Sequence, residues 1–182
     1  MYKKFNEIYH FIDKFKEADL INLNAKVSLI YRNYNDKIDI NLIKMIKSFC
    51  KKTKRKFYLA NEIKLAYKLK LDGSYIPSFN KNLDHNYFIK NKKFKLLGSA
   101  HNQKEIKIKQ NQNVEYIFLS PLFKIYKKNN YLEINKFLRL KNHSNQKIIA
   151  LGGINKTNIK KLNMLNCYGF ASISFIKSLN YK

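Results

Sequence analysis

The chain has 182 residues, of which 45% are apolar and 27% are charged, so we expect a single globular domain that spans residues 1–182 and has a sizeable core. We find no apolar window long enough for a membrane span, expect no secretory signal, and predict that the only two cysteines, Cys50 and Cys167, are reduced and buried in a cytoplasmic protein. The formal net charge of +25 does not by itself indicate nucleic acid, because only three of the 37 basic residues are arginines and the lysines are spread along the whole chain.

Short apolar runs alternate with helix-like stretches along the chain. The runs are rich in β-branched and aromatic residues, which is typical of strands. Their continuous apolar character is typical of parallel strands that are buried on both faces. We predict eight strands, near residues 7–12, 27–32, 56–60, 73–76, 95–99, 116–120, 148–151 and 169–173.

Three of the intervening stretches have clear helix signals. Residues 61–71 have apolar positions at helical spacing and are followed by Gly73, a typical C-terminal signal. Residues 101–112 predict a mostly polar surface helix with Asn102 as its N-cap. Residues 155–165 predict an amphipathic helix.

The alternation of strands and helices predicts an α/β fold, and eight βα units predict a (β/α)8 TIM barrel. The chain is short for this barrel, so we expect trimmed helices. Only about nine residues follow the eighth strand, so the last helix is expected to be stunted or missing. An open, doubly wound parallel sheet is the alternative.

Two glycines, Gly152 and Gly153, stand between the seventh strand and the following helix. In parallel α/β proteins, ligands bind at the carboxyl ends of the strands, where glycine allows a sharp turn and a close approach. The N–H groups at a helix N-terminus suit an anion, and the end of the eighth strand at Ile173 and Ser174 can add more donors. We therefore expect a phosphate here; the simpler alternative is that the glycines only permit strand-to-helix packing.

Several motifs occur in a fixed order. LLGSAHNQKEI contains a G-x-S-x-H-like segment, VEYIFLSPLF fits (D/E)Y-x-x-x-x-P-(I/L/V)-F, and IIALGGINKTNIKKL, followed by GFASIS, contains GGI. With LANEIKLAYKLKLDGSYIPS and IYRNYN upstream, the chain resembles the thiamine-phosphate synthase/TenI family over about residues 27–176. The resemblance implies the same TIM barrel and a cytoplasmic role in thiamine biosynthesis.

The resemblance also implies a small-molecule ligand, the phosphate of a thiazole intermediate. Lysines in the loop after the sixth strand are expected to close over this ligand. Two activities occur in the family. Synthases join hydroxymethylpyrimidine pyrophosphate to thiazole phosphate with Mg²⁺ held by carboxylates, whereas TenI-type members shift a proton with a histidine. The residues implied for substrate binding are Arg32, Asn61, Ser99, Lys124, Lys128, Gly152, Gly153, Ile173 and Ser174.

Departures from the synthase pattern favour the TenI-like activity. Asn61 stands where synthases have a metal-binding aspartate, and Asn80 stands where a second one is expected. Neutral amides are poorer Mg²⁺ ligands than carboxylates. Hence no cofactor is expected. Mg²⁺ is expected only under the alternative of an active synthase, with a metal site rebuilt through Glu62 and Asp72.

The candidate acid/base is His101, which follows the fifth strand, with Ser99 in the same pocket. Arg32 is expected to hold a carboxylate or phosphate by a bidentate contact. The alternatives are that His101 only caps the following helix and that Arg32 forms a salt bridge in the barrel mouth. The function predicted is a thiazole tautomerase or a catalytically reduced relative, with an active synthase or a non-enzymatic polyanion-binding protein as alternatives. The oligomeric state is left open.

Overall fold

The computed structural model describes residues 5–84, 92–125 and 130–178. Eight parallel strands form a closed barrel in which each strand pairs with its neighbours in chain order. The strands are β1 (Glu7–Ile12), β2 (Val27–Tyr31), β3 (Phe57–Ala60), β4 (Gly73–Ile76), β5 (Lys95–Ala100), β6 (Tyr116–Leu119), β7 (Lys147–Leu151) and β8 (Gly169–Ser172).

The predicted TIM barrel is confirmed. Glu7 pairs with Gly169 and His10 pairs with Ser172, so β1 and β8 close the sheet, and the alternative of an open sheet is wrong. Every predicted strand agrees with the observed one to within a single residue at each end. The agreement is this close because each strand is a short apolar run that is covered on both faces.

The helices outside the barrel are short, as expected for a chain of this length. They are α1 (Glu17–Leu20), α2 (Ile40–Lys52), α3 (Ile63–Lys68), α4 (Gln103–Asn111), α5 (Glu133–Asn142) and α6 (Leu162–Leu165). Asp39 caps α2, because its Oδ1 accepts the N–H groups of Asn41 and Leu42. Asn102 caps α4 as predicted, with Oδ1 accepting from the N–H of Glu105 at 2.9 Å.

The helix predicted after β7 begins later than expected. The Oδ1 atom of Asn155 accepts the N–H groups of Thr157 and Asn158, which holds this segment in a local turn. A 3₁₀ turn, Ile159–Lys161, then leads into α6. After β8 the described chain has only a 3₁₀ turn, Phe175–Ser178, in agreement with the expected stunted last helix.

Aromatic rings fill the barrel interior. The Phe118 ring centroid lies 5.0 Å from that of Tyr9 and 5.4 Å from that of Tyr75, in edge-to-face geometry. Because these rings occupy the barrel axis, a ligand can only bind beyond the strand ends. The buried interior residues are Tyr9, Phe11, Ile30, Tyr58, Ala60, Tyr75, Leu97, Tyr116, Phe118, Ile149, Leu151 and Ala171.

The connection between β4 and β5 has no α-helix in its described residues, and α4 holds it in place. The fully buried Lys109 donates from Nζ to the carbonyl oxygens of Pro77 and Asn80 and to Oε1 of Gln112, each at 2.8 Å. Gln112 Nε2 in turn donates to the carbonyl oxygens of Asn80 (3.0 Å) and Asn82 (2.8 Å). We call this arrangement the Lys109–Gln112 clasp. The prediction of a surface helix is wrong for this face of α4, because three acceptors replace the water that the ammonium group loses.

The thiols agree with the prediction from composition. Cys50 and Cys167 are both buried, and neither is part of a disulfide. Burial raises the pKa of the Cys50 thiol to about 12, so this group is inert at neutral pH. In the part of the chain that the structure describes, no helix has the length and apolar character to cross a bilayer.

Candidate functional site

A cleft of about 650 Å³ opens at the carboxyl ends of the strands. Four strands contribute the residue that follows their last position to the cleft lining: β2 with Arg32, β6 with Ser120, β7 with Gly152 and β8 with Ile173. The loops after β5 and β6 and the first turn of α5 complete the walls. The other lining residues are His101, Asn102, Pro121, Ile125, Asn130, Tyr131, Leu132, Lys136 and Leu151, so no described residue in the lining is acidic.

His101 lines this cleft, and its ring is fixed by the end of β6. Its Nδ1 lies 2.6 Å from the carbonyl oxygen of Ser120 and 3.2 Å from Ser120 Oγ. A carbonyl oxygen can only accept, so Nδ1 carries the proton of the neutral ring and Nε2 is left as a proton acceptor. The backbone N–H of His101 donates to Glu105 Oε2 at 2.8 Å. The side chain that caps α4 is that of Asn102, so the alternative of a purely capping imidazole does not hold.

Arg32 lies in the barrel mouth, with its Cζ 4.9 Å from the centroid of the Phe11 ring. Its backbone N–H extends the ladder by donating to the carbonyl oxygen of Ile12 at 2.8 Å. Among the described residues, the guanidinium forms no ion pair, which argues against the alternative of a structural salt bridge. A half-buried guanidinium without a carboxylate partner suits an anionic ligand.

Gly152 and Gly153 pack against the loop after β6. Both have positive φ angles, 96° and 68°. A Cβ atom on Gly152 would lie 2.8 Å from Pro121 Cα, and one on Gly153 would lie 2.5 Å from the carbonyl oxygen of Phe123. The two loops are also joined by a hydrogen bond from the N–H of Phe123 to the carbonyl oxygen of Gly152 at 3.1 Å. The glycines are therefore required for loop packing, whatever else they do.

The same backbone leaves donors free at the ends of β7 and β8. Within the described residues, no hydrogen bond uses the N–H groups of Gly152, Gly153, Ile173 or Ser174. Gly152 and Ile173 line the cleft, whereas Ser174 lines an adjoining cavity of about 390 Å³ that includes Lys156. The N–H groups of Gly152 and Ile173, which belong to residues of one cleft, suit an oxyanion.

The helix after β7 does not add the amides that the sequence analysis expected. The N–H groups of Thr157 and Asn158 are already bonded to Asn155 Oδ1, at 2.9 and 3.2 Å. Asn158 Nδ2 also donates to the carbonyl oxygen of Gly153 at 2.7 Å, which closes this turn on itself. The candidate anion site therefore consists of strand-end amides rather than a helix N-terminus.

The predicted lysines lie elsewhere or outside the described residues. Lys124 is exposed and lines a separate groove of about 480 Å³ together with Gly153, Glu133 and Lys161. It does not line the cleft. Lys128 lies outside the described residues.

Ser99 and Asn61 are also separate from the cleft lining. Ser99 is buried in the barrel, beside the Tyr75 side chain. Asn61 follows β3 with a φ of 63°, and its Oδ1 accepts from Asn80 Nδ2 at 2.8 Å.

The described residues do not fit a carboxylate-held Mg²⁺ site. Asn61 and Asn80 occupy the two positions where the resemblance places aspartates, and they bond to each other. Glu62 follows β3, whereas Asp72 precedes β4 and accepts from the N–H of Phe57 at 2.8 Å. A strand of four residues spans about 13 Å, so Glu62 and Asp72 lie at opposite ends of the barrel and the proposed rebuilt site is wrong. No group of three metal-ligating side chains occurs in the described chain.

Most of the cleft lining was missed by the sequence analysis, including three polar residues, Ser120, Tyr131 and Lys136. Ser120 holds His101, and Tyr131 and Lys136 line the outer wall. Ser120 could have been found from its place at the end of the sixth strand. No motif or spacing in the sequence marks Tyr131 or Lys136 as cleft residues, because the approach of α5 to the cleft depends on the path of the preceding loop.

A closed parallel barrel with its cleft at the carboxyl ends of the strands defines a TIM-barrel protein with a ligand site of the usual location. The family model described as "Thiamine monophosphate synthase" matches residues 15–176. The chain therefore belongs to this family, and the resemblance seen in its motifs is confirmed.

Two curated relatives are named thiamine-phosphate synthase. The protein of Methanococcus vannielii is 33% identical over 84 residues, which cover 45% of this chain and 41% of the relative. The protein of Prochlorococcus marinus is 28% identical over 170 residues, which cover 86% of this chain and 47% of the relative. The chain thus spans less than half the length of these relatives.

Solved structures share the fold. Thiamine phosphate pyrophosphorylase from Pyrococcus furiosus superposes with a TM-score of 0.78 at 14% identity, covering 96% of this chain and 92% of that one. The pyrophosphorylase from Bacteroides thetaiotaomicron gives a TM-score of 0.65 at 19% identity, covering 92% and 82%. At such low identity, the structural similarity supports the shared barrel fold alone.

Proposed function

We propose that the chain binds a thiazole phosphate in the cleft and acts as a TenI-like thiazole tautomerase, or as a relative in which this activity is reduced. The observation that carries the proposal is the state of His101. Its Nδ1 is held by the Ser120 carbonyl oxygen at 2.6 Å, and the ring lines the same cleft as the free amides of Gly152 and Ile173.

The cleft offers complementary surfaces for such a ligand. The phosphate is proposed to bind the N–H groups at the ends of β7 and β8, with Arg32 as the nearby cation. The apolar side chains of Pro121 and Leu151 are suited to contact the thiazole ring. Ligand, cation and imidazole then share one water-restricted site, where electrostatic interactions are stronger than in bulk water.

The proposed chemistry is a proton shift within the bound ring. His101 Nε2 takes a proton from one ring position and returns it to another, so the catalyst is regenerated without a co-reactant. The hydrogen bond from Nδ1–H to the Ser120 carbonyl oxygen supports the imidazolium that forms in between and keeps the correct tautomer.

Mg²⁺-dependent thiamine-phosphate synthesis is the second candidate, and it is favoured by the similarity to two relatives that are both named thiamine-phosphate synthase. The amide pair of Asn61 and Asn80 argues against it, because two neutral side chains that bond to each other leave little for a cation.

The test uses purified protein with thiazole phosphate carboxylate. Calorimetry measures binding, and NMR follows the double-bond shift in the ring. We expect His101→Gln to abolish isomerisation while binding stays within about twofold, because the ring acts on the proton rather than on the phosphate. His143→Gln, an exposed change at the end of α5, is the matched control. Unchanged turnover in His101→Gln, or no binding to the wild type, would contradict the proposal.

A further inference from the structure

The cleft extends beyond the barrel mouth, into the space between the first turns of α4 and α5. Asn102, the N-cap of α4, and Lys136, in the first turn of α5, line it together with Arg32 from the end of β2. In an eight-stranded barrel, β2 and β6 stand opposite each other, and α5 follows β6. The cleft is therefore bounded by a cation at each end.

Both cations lack an acidic partner in the described chain. Neither Arg32 nor Lys136 takes part in a salt bridge there. The neighbouring carboxylate, Glu105, is already engaged, since Oε1 accepts from Asn102 Nδ2 and Oε2 accepts from the backbone N–H of His101, each at 2.8 Å. Glu105 itself is not part of the described cleft lining, and its carboxylate oxygens are used by the capping contacts of α4.

The wall beside Lys136 is apolar. Pro121, Ile125 and Leu132 line the cleft near the loop after β6. An apolar wall strengthens the attraction between Lys136 and an anion, because it displaces water from one side of the contact. Lys136 is the only lysine in the described lining of this cleft.

We propose that Lys136 is a specificity-determining residue that binds a second anionic group at the outer end of the ligand. The cleft then favours a ligand with two separated anionic groups, such as a thiazole phosphate carboxylate, over a thiazole phosphate without the carboxylate. The inference rests on the proposed function for the identity of the ring, and on the two unpaired cations for the second charge.

The test compares the two ligands by calorimetry at low ionic strength. We expect the wild type to bind the carboxylated compound more tightly, and Lys136→Gln to weaken that affinity about tenfold while changing the affinity for the other compound less than twofold. Lys136→Arg should restore most of the loss. Lys104→Gln removes an exposed lysine of α4 that does not line the cleft, so it controls for the loss of overall charge.

The outcomes separate the two proposals. If both compounds bind but Lys136→Gln weakens them equally, or no more than Lys104→Gln does, the role of Lys136 is wrong and the proposed function stands. If neither compound binds the wild type, both are wrong. Both substitutions lie at exposed positions, and far-ultraviolet circular dichroism checks that the variants are folded.

Discussion

Asn80 donates a hydrogen bond from its Nδ2 to Oδ1 of Asn61 at 2.8 Å. The two residues follow the neighbouring strands β4 and β3, at the positions where the resemblance places metal-binding aspartates. Asn80 Oδ1 in turn accepts from the N–H of Asn82 at 3.0 Å, and neither amide carries charge. Two carboxylates at these positions would attract a cation, whereas two neutral amides joined by a hydrogen bond do not.

This pairing predicts that the protein is indifferent to Mg²⁺. We expect the wild-type melting temperature and ligand affinity to be unchanged by millimolar Mg²⁺. Asn61→Asp combined with Asn80→Asp should place two carboxylates in contact, lower the melting temperature through their repulsion, and recover part of it when Mg²⁺ is added. Thermal unfolding with and without the ion measures both effects. A Mg²⁺-dependent rise in the wild type, or thiamine phosphate formation, would contradict the prediction.

Arg32 provides a second prediction. Arg32→Lys keeps the charge but loses the planar, multidentate donor set and the contact with the Phe11 ring. We expect the affinity for thiazole phosphate carboxylate to fall about tenfold with little change in stability. Arg139→Lys, at an exposed position of α5, is the control. Equal affinities of the two variants would remove Arg32 from ligand binding.

Gly153 is predicted to be essential for stability. An alanine there would have to adopt a φ of 68° and would place its Cβ 2.5 Å from the carbonyl oxygen of Phe123. We expect Gly153→Ala to lower the free energy of unfolding by about 1–3 kcal/mol, as measured by urea denaturation. Lys156→Ala, in the same loop but exposed, should change it by less than about 0.5 kcal/mol. Equal urea midpoints for the two variants would show that the loops after β6 and β7 can move apart without loss of stability, which would contradict the prediction.

Lys109 predicts a stability that depends on pH. Burial lowers its pKa from 10.5 to about 8, and nearby Glu105 partly opposes this shift. Below pH 8 both the folded and unfolded states hold the proton, so the contribution is constant. Between pH 8 and 10.5 only the unfolded state retains it, so the contribution of Lys109 to stability rises with pH.

Unfolding free energies of the wild type and Lys109→Met, measured from pH 7 to 10.5, test this sign. The difference between the two proteins should grow in favour of the wild type across that window. Lys107→Met, an exposed change on the same helix, should give a flat difference. A difference that shrinks as the pH rises would mean that the clasp stabilises the charged amine more than burial destabilises it.

The strands could be predicted from sequence because their signal is local. Each is an apolar run, and a parallel barrel buries both faces of every run. The start of α4 could also be predicted from a local signal, because the Asn102 side chain caps the helix. The start of the segment before α6 was not predicted, because Asn155 captures two N–H groups that a helix would otherwise have used.

The expected site residues that line the cleft are those that directly follow strands. Arg32, His101, Gly152 and Ile173 occupy strand ends, and the barrel brings them to one cleft. Lys136 lies a loop and a helical turn beyond β6, so its place depends on packing that no periodicity reveals. The buried amine of Lys109 was missed for a similar reason: in a lysine-rich helix, nothing local distinguishes the one lysine that faces inward.

The Lys109–Gln112 clasp has a consequence for minimal barrels. Here one long cationic side chain from α4 binds two backbone carbonyl oxygens of the segment after β4, and a side-chain oxygen of its own helix completes its set of acceptors. A designer could therefore anchor an irregular segment at the mouth of another barrel with a tether of this kind, provided that the donor lies in a neighbouring, well-capped helix.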